Sequence, residues 1–106
     1  QARTYAQKAI SFNENYGEPY ILLAQMYGSN PNWSDEPALN RCTYYVVIDK
    51  LQRAKAVDPS VTDKVNELIA TYARHTPQAK DLFMLGYKAG DRITIGGWIG
   101  ESTTIR

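Results

Sequence analysis

An eight-residue apolar signature occurs twice in this chain. Tyr20-x-x-Leu23-Ala24-x-x-Tyr27 returns, loosened, as Val65-x-x-Leu68-Ile69-x-x-Tyr72. Each copy follows an alanine-bearing stretch and a turn: Lys8-Ala9-Ile10-Ser11-Phe12-Asn13-Glu14 precedes the first, and Arg53-Ala54-Lys55-Ala56-Val57-Asp58-Pro59 the second. Residues three and four apart share one side of a helix, so each signature is a single apolar stripe on a short rod. Such a rod cannot bury its stripe alone. It has to lie against a neighbour, and a stack of such units leaves an open face on which other proteins can bind. The pattern points to a binding scaffold without naming what is bound.

The 106 residues suffice for one domain and not two. With 12 basic and 11 acidic residues interspersed, the net charge is +1, which gives no clustered basic face of the kind nucleic acid requires. No apolar run approaches the roughly 20 residues of a membrane-spanning helix. No signal peptide is visible, and the chain opens at Gln1 inside a helical pattern. The expectation is a fragment or processed product whose targeting segment would precede it.

Along the chain, Ala2, Tyr5, Ala6, Ala9 and Ile10 fall at helical spacing and predict an amphipathic helix over 2–12. Asn13, Asn15 and Gly17 form a turn. The next helix covers 18–28, with Pro19 tolerated in its first turn and Gly28 as its stop. Residues 29–37, rich in Pro, Asn and Ser, read as a loop. A third helix over 38–57 carries the stripe Tyr44, Val47, Ile48, Leu51 and Ala54, and ends at Asp58-Pro59. Ser60 and Asp63 have the spacing of a capping box for a fourth helix over 62–75, whose stripe includes Val61 and Val65. Thr76-Pro77 reads as the start of a short fifth helix, 77–85, with Leu82, Phe83 and Leu85 as its apolar side and Gly86 as its terminator.

The tail changes period. Arg92-Ile93-Thr94-Ile95 alternates polar and apolar, Thr103-Thr104-Ile105-Arg106 does so more weakly, and Gly96-Gly97 marks a bend or bulge between them. A β-hairpin follows. An isolated hairpin is marginal in water, so Ile93, Ile95, Trp98 and Ile105 are expected to pack on the last helices or on something outside the chain.

Residues that carry chemistry elsewhere have plainer readings here. Cys42 lacks a second cysteine for an internal disulfide or a metal site; it reads as a small hydrophobe, or as the partner of a cysteine outside the chain. His75, the single histidine, lies at a helix C-terminus, where a cation meets the dipole favourably. Asp49 and Asp91 read as hydrogen-bonded or solvated acids. Gly90-x5-Gly96-Gly97 lacks the Gly-Lys-Ser/Thr ending of a phosphate loop. No metal, cofactor or catalytic set is expected. Most tyrosines belong to the stacked core. Trp33, in a polar loop, either tucks back onto the helix pair or anchors an interface; Trp98 faces the same choice, with packing on the helices favoured.

The two signatures, with Ala9 and Ala54 before them and Asp58-Pro59 at one junction, resemble tetratricopeptide repeats. Tyr27 and Tyr72 are 45 residues apart, about 11 more than the 34-residue period of that family, and the excess falls between residues 28 and 43. The chain departs from the family pattern with Tyr20 and Val65 at the leading Trp, Ala24 and Ile69 at the Gly, and Glu14 at the first junction proline. A narrower likeness covers about three quarters of the chain. The stretches 49–59 and 66–72, Gly90-Asp91, Gly96-Gly97-Trp98-Ile99 and Thr103-Thr104-Ile105-Arg106 are similar to the C-terminal end of tetratricopeptide proteins common in Bacteroidetes. That resemblance implies a longer parent with further repeats upstream, an exported envelope protein that is periplasmic, and no enzymatic activity. Members often carry a cysteine in the long inter-helix loop, near whose end Cys42 lies.

The expectation is therefore a mostly α fold: about five helices as two stacked hairpins and a short capping helix over 2–89, with the β-hairpin over 90–106 shielding the open end. Helices 18–28 and 62–75 would line a concave, non-enzymatic protein-binding surface. By face geometry Glu18, Ile21, Gln25, Asp63, Asn66 and Ala70 point into it, joined by Trp33 and Trp98 as candidate partner contacts. No lysine stands at the helical positions, which disfavours a clamp for a partner's terminal carboxylate. The partner is a protein or peptide, with no nucleic acid and no membrane span. The alternative is a structural subunit held permanently in an envelope assembly, with Trp33, Trp98 and the hairpin against another chain.

Overall fold

A computed structural model describes residues 2–12 and 15–106. The expectations for the side chains of Ala2 and Phe12, and for Asn13 and Glu14, lie outside the described residues. The described chain is mostly helical and ends in a two-stranded antiparallel hairpin. Its elements are α1 (Ala2–Phe12), α2 (Glu18–Ser29), α3 (Pro37–Arg41), α4 (Thr43–Val57), a 3₁₀ turn (Pro59–Val61), α5 (Thr62–Ala73), α6 (Ala79–Met84), β1 (Arg92–Ile95) and β2 (Glu101–Thr104). The radius of gyration is 13.9 Å and the extents are 41 × 27 × 21 Å, an elongated outline set by rods lying side by side.

Helix α4 is the centre of the packing. It lies against α2 on one side, α5 on another and β2 on a third, while α1 packs on α2. This explains why its buried surface is wider than a single stripe: Tyr45 and Val46 are buried beside Val47, Ile48, Leu51 and Ala54. The repeated signatures do what their spacing requires. Tyr20, Leu23, Ala24 and Tyr27 of α2 are buried, as is Val65 of α5, while Leu68, Ile69 and Tyr72 are partly buried against the same core.

Two glycines set how closely the units approach. A methyl group on Gly17 would lie 2.9 Å from Val61 Cγ2 and 3.1 Å from the Ala54 carbonyl oxygen, so the turn before α2 is pressed onto the turn before α5. Asp58 Oδ2 accepts the Gly17 N–H at 3.0 Å across that junction. At the other end, a methyl on Gly28 would lie 2.7 Å from Tyr72 Cε1. Gly28 does not stop its helix, which continues to Ser29; it lets the Tyr72 ring close on α2.

Other expected boundaries move for local reasons. The long third helix divides at Cys42, where i→i+3 bonds from Cys42 N to Leu39 O and from Tyr45 N to Cys42 O tighten the backbone. The buried Thr43 hydroxyl beside it donates to Pro31 O at 2.8 Å, holding the preceding loop. Ser60 does not cap α5: its hydroxyl and N–H both donate to Asp58 Oδ1, at 2.6 and 3.1 Å, so Asp58 organises the turn and α5 begins at Thr62. Thr76 belongs to the end of α5, where its hydroxyl donates to Ala73 O at 2.9 Å, and α6 starts only at Ala79. Gly86 ends α6 as expected. Its φ of 91°, with Gly86 N bonded to Phe83 O and Tyr87 N to Leu82 O, makes a Schellman closure.

In the hairpin, Arg92 faces Thr104, Ile93 faces Thr103, Thr94 faces Ser102 and Ile95 faces Glu101. The second strand thus starts two residues before the Thr103–Arg106 stretch that alternation marks, although Ile105 N still reaches Asp91 O at 2.9 Å. Ile93, Ile95, Ile99, Thr103 and Ile105 are buried, so the hairpin packs on its own helices.

Candidate functional site

The open helical face is built by α2 and α5, which run side by side in the same sense. Lys64 Nζ pairs with Glu18 Oε2 at 3.2 Å near their starts, and Gly28 meets the Tyr72 ring near their ends. Gln25 is exposed on α2, and Asp63 and Ala70 are exposed on α5. Asn66 turns toward α4, where its Oδ1 accepts a bond from Lys55 Nζ at 2.9 Å. Ile21 is only 1% exposed and is a core residue. Its remaining edge joins Glu18, Leu22 and Gln25 in lining a shallow cavity of 290 Å³ toward α1, which contributes Tyr5 and Ala9 to the wall. The structure therefore gathers Glu18, Ile21 and Gln25 at one place and leaves Asp63, Asn66 and Ala70 apart from them. Lys64, absent from the expected set, is the cation of this face; its position on the wheel is marked only once α2 is known to lie beside it.

The two tryptophans close the seam between hairpin and helices. Trp33 is half-buried: its Nε1 donates to Leu39 O at 3.1 Å, and a methyl on Gly96 would lie 3.1 Å from its ring carbon Cε3. Asn40 fixes the loop that carries it, accepting from Trp33 N at 3.0 Å and Ser34 N at 2.8 Å and donating to Ser34 O at 2.9 Å. Trp98 meets Tyr27 edge-on at 5.2 Å between ring centroids and keeps 38% of its surface exposed. With Met26, Ser29 and Asn30 it lines an open depression of 440 Å³.

Beneath Trp98 lies a network that periodicity does not announce. The Arg3 guanidinium stands 6.0 Å from the Tyr27 ring and 5.9 Å from the Trp98 ring, and donates to Trp98 O and Ile99 O at 2.7 and 3.0 Å. The Tyr27 hydroxyl donates to Glu101 Oε2 at 2.6 Å, and Lys50 pairs with Glu101 Oε1 at 2.7 Å. Burial first, and then this bond to a carboxylate, push the Tyr27 phenol up to about 12. One linked set of groups thus joins α1, α2, α4 and β2.

The remaining single residues are structural ties. Asp49 accepts from the Thr103 hydroxyl at 2.7 Å and pairs with Arg106, whose guanidinium also covers the Tyr45 ring at 5.0 Å. Asp91 accepts the Lys88 N–H at 2.9 Å. Cys42 is fully buried, and burial pushes its thiol up to about 11, which keeps it protonated and unreactive at neutral pH. His75 is exposed with its ring 5.3 Å from Tyr44, and Tyr44 stacks on Tyr72 at 6.0 Å. Among the described residues no group of three or more His, Cys, Asp or Glu is placed to hold a metal ion, and no helix is long and apolar enough to cross a membrane.

Searches against protein-family models, curated proteins and solved structures return no match for this chain.

Proposed function

We propose that the chain is a non-enzymatic protein–protein interaction scaffold of tetratricopeptide type, working on the periplasmic side of a bacterial cell envelope. The carrying observation is the side-by-side pair α2 and α5. Joined by the exposed Lys64–Glu18 pair at one end and by Tyr72 beside Gly28 at the other, it presents a face bearing Glu18, Gln25 and Lys64. A face already assembled before binding carries no further cost of ordering. The envelope location and the upstream repeats rest on the resemblance carried by the stretches 49–59, 66–72, 90–91, 96–99 and 103–106.

A photo-crosslinking residue at exposed Gln25 tests the face, with one at exposed Gln52 of α4 as the control. In native cells expressing the full-length parent, a discrete protein adduct from Gln25 and none from Gln52 is expected. Equal labelling from both positions, or none from Gln25, overturns the assignment. The permanently assembled structural subunit is the second reading, favoured by Phe83 and Met84, whose side chains are 75% and 84% exposed on α6. Size-exclusion chromatography separates the two: a well-behaved monomer supports the scaffold, and aggregation of the isolated chain supports the subunit.

A further inference from the structure

Helix α6 and the end of the hairpin enclose a recess of 280 Å³ that is separate from the α2–α5 face. Its floor is apolar: Leu82 and Ile105 are buried and Tyr87 is half-buried. Phe83 forms part of the wall while mostly in solvent. Lys80, Lys88 and Arg106, with Ala79 and Ala89, complete the lining, which contains no acidic residue. Arg106 is tied to Asp49, but among the described residues the side chains of Lys80 and Lys88 take part in no ion pair. The nearby acids Asp91, whose Oδ2 accepts the Lys88 backbone N–H at 2.9 Å, and Asp81 stand outside the lining.

An apolar recess lined by cations and by no acid selects its occupant by charge as well as by shape. Positive segments are repelled, and negative ones gain from both terms. The volume lies just below the roughly 300–1,000 Å³ of small-molecule sites, which suits a single large side chain. A flat bilayer surface would cover Phe83 and Met84 and leave the recess empty. We propose that this recess docks an acidic segment of a partner protein: one aromatic or large aliphatic side chain sits over Leu82 and Ile105, and Asp or Glu residues beside it pair with Lys80 and Lys88. The inference rests on the protein-interaction reading and adds the chemistry of the segment bound.

The probes are two pools of dye-labelled 12-residue peptides, each with a central aromatic or aliphatic residue, flanked in one pool by Asp and Glu and in the other by Lys and Arg. Immobilised chain should retain the acidic pool over the basic one, and the preference should shrink as salt rises. Retention should fall at least about fivefold in the double variant Lys80→Glu/Lys88→Glu, and again in Phe83→Ser. All three substituted side chains are exposed, so melting temperatures should stay unchanged; the pool comparison and salt series need no variant. Four results overturn the inference: no acidic preference, retention unaffected by charge reversal, binding to phosphatidylglycerol vesicles in place of peptides, or a concentration-dependent dimer lost in Phe83→Ser without peptide binding. An adduct from Gln25 with no acidic preference discards the recess and keeps the helical face. Acidic preference with no Gln25 adduct does the reverse.

Discussion

Gly17 and Gly28 show that what an added atom would meet decides whether it disturbs the stacking of two units. At Gly17 the obstacles to a methyl group include a backbone oxygen, that of Ala54, and the Cβ of Asp58, none of which can swing aside. Gly17→Ala is expected to lower stability by about 1–3 kcal/mol, the usual range for overpacking, read as a lower urea midpoint at unchanged slope. At Gly28 the obstacle is the far end of the partly exposed Tyr72 side chain, which can rotate. The helix gains up to about 1 kcal/mol from alanine in place of glycine, so Gly28→Ala should be close to neutral; a loss as large as that of Gly17→Ala would contradict this account. Tyr27 supplies a pH signature. Its ordinary value of 10 is raised to about 12 in the fold, so the unfolded chain releases this proton first. The contribution is complete below pH 10 and is lost as pH rises through 12. Tyr27→Phe should flatten the fall in urea midpoint between pH 10 and 12, leaving the slope from Cys42, Tyr45 and Tyr72, which burial also raises. Identical slopes in the two proteins would show that the fold does not raise the phenol.

At the scale of elements, the hairpin is held by what it meets. Trp33 covers the Gly96-Gly97 bend, Trp98 lies on Tyr27, and Thr103 reaches Asp49 of α4. Replacing Trp33 by Ala empties a half-buried site at a cost of about 2–4 kcal/mol, toward the lower part of the range for large-to-small changes. Amide exchange should accelerate in β1 and β2 more than in the middle of α4, because the hairpin would open as a local unit; uniform acceleration would mean that Trp33 supports the core as a whole. Asp58 makes a parallel case for the turn between α4 and α5. Bonds first from Ser60 and then from Gly17 hold its carboxyl below its ordinary 3.8, so its contribution is full above that value and disappears as pH falls through the depressed one. Asp58→Ala should therefore be less stable at neutral pH and lose less on acidification below about pH 4, followed by circular dichroism. The elements themselves were largely legible, because a 3.6-residue stripe survives in any environment that buries it: Tyr20 to Tyr27 needs no knowledge of neighbours. Boundaries were not. Ser60 and Thr76 each have hydroxyls suited to capping the helix that follows, and each is taken by an acceptor on its other side, Asp58 and the Ala73 carbonyl. Candidate contacts were the least legible. Which side of α5 faces α2 depends on the crossing of the rods, so Lys64 escaped notice and Ile21 was assigned to the surface. Leu82, Phe83 and Leu85 form the apolar side that spacing marks, yet of the three only Leu82 is buried.

At the scale of the whole molecule, α4 is shared by the first helical pair, by α5 and by the hairpin, and this sharing sets how the chain unfolds. A stack in which each unit met only its neighbour would loosen from its ends. Here the ends are tied together: Arg3 of α1 bonds the backbone at Trp98 and Ile99, and Arg106 pairs with Asp49 in the centre of α4. The hairpin is thus a strap across the stack as well as a cover on Tyr27 and Tyr45. Deleting residues 90–106 removes at once the ring contact on Tyr27, the carboxylate acceptor of its hydroxyl and the guanidinium over Tyr45. The Tyr27–Glu101 bond, of the kind worth about 1.5–3 kcal/mol when the acceptor is charged, is lost, and the apolar surface uncovered with it adds to that. The shortened chain should therefore melt lower, bind more of a hydrophobic dye than the intact chain does, and lose the single sharp transition expected of the intact chain, with α1 fraying first. Equal melting temperatures and an equally sharp transition in the two chains would show that the helices close on themselves, and that the hairpin rests on the stack without holding it.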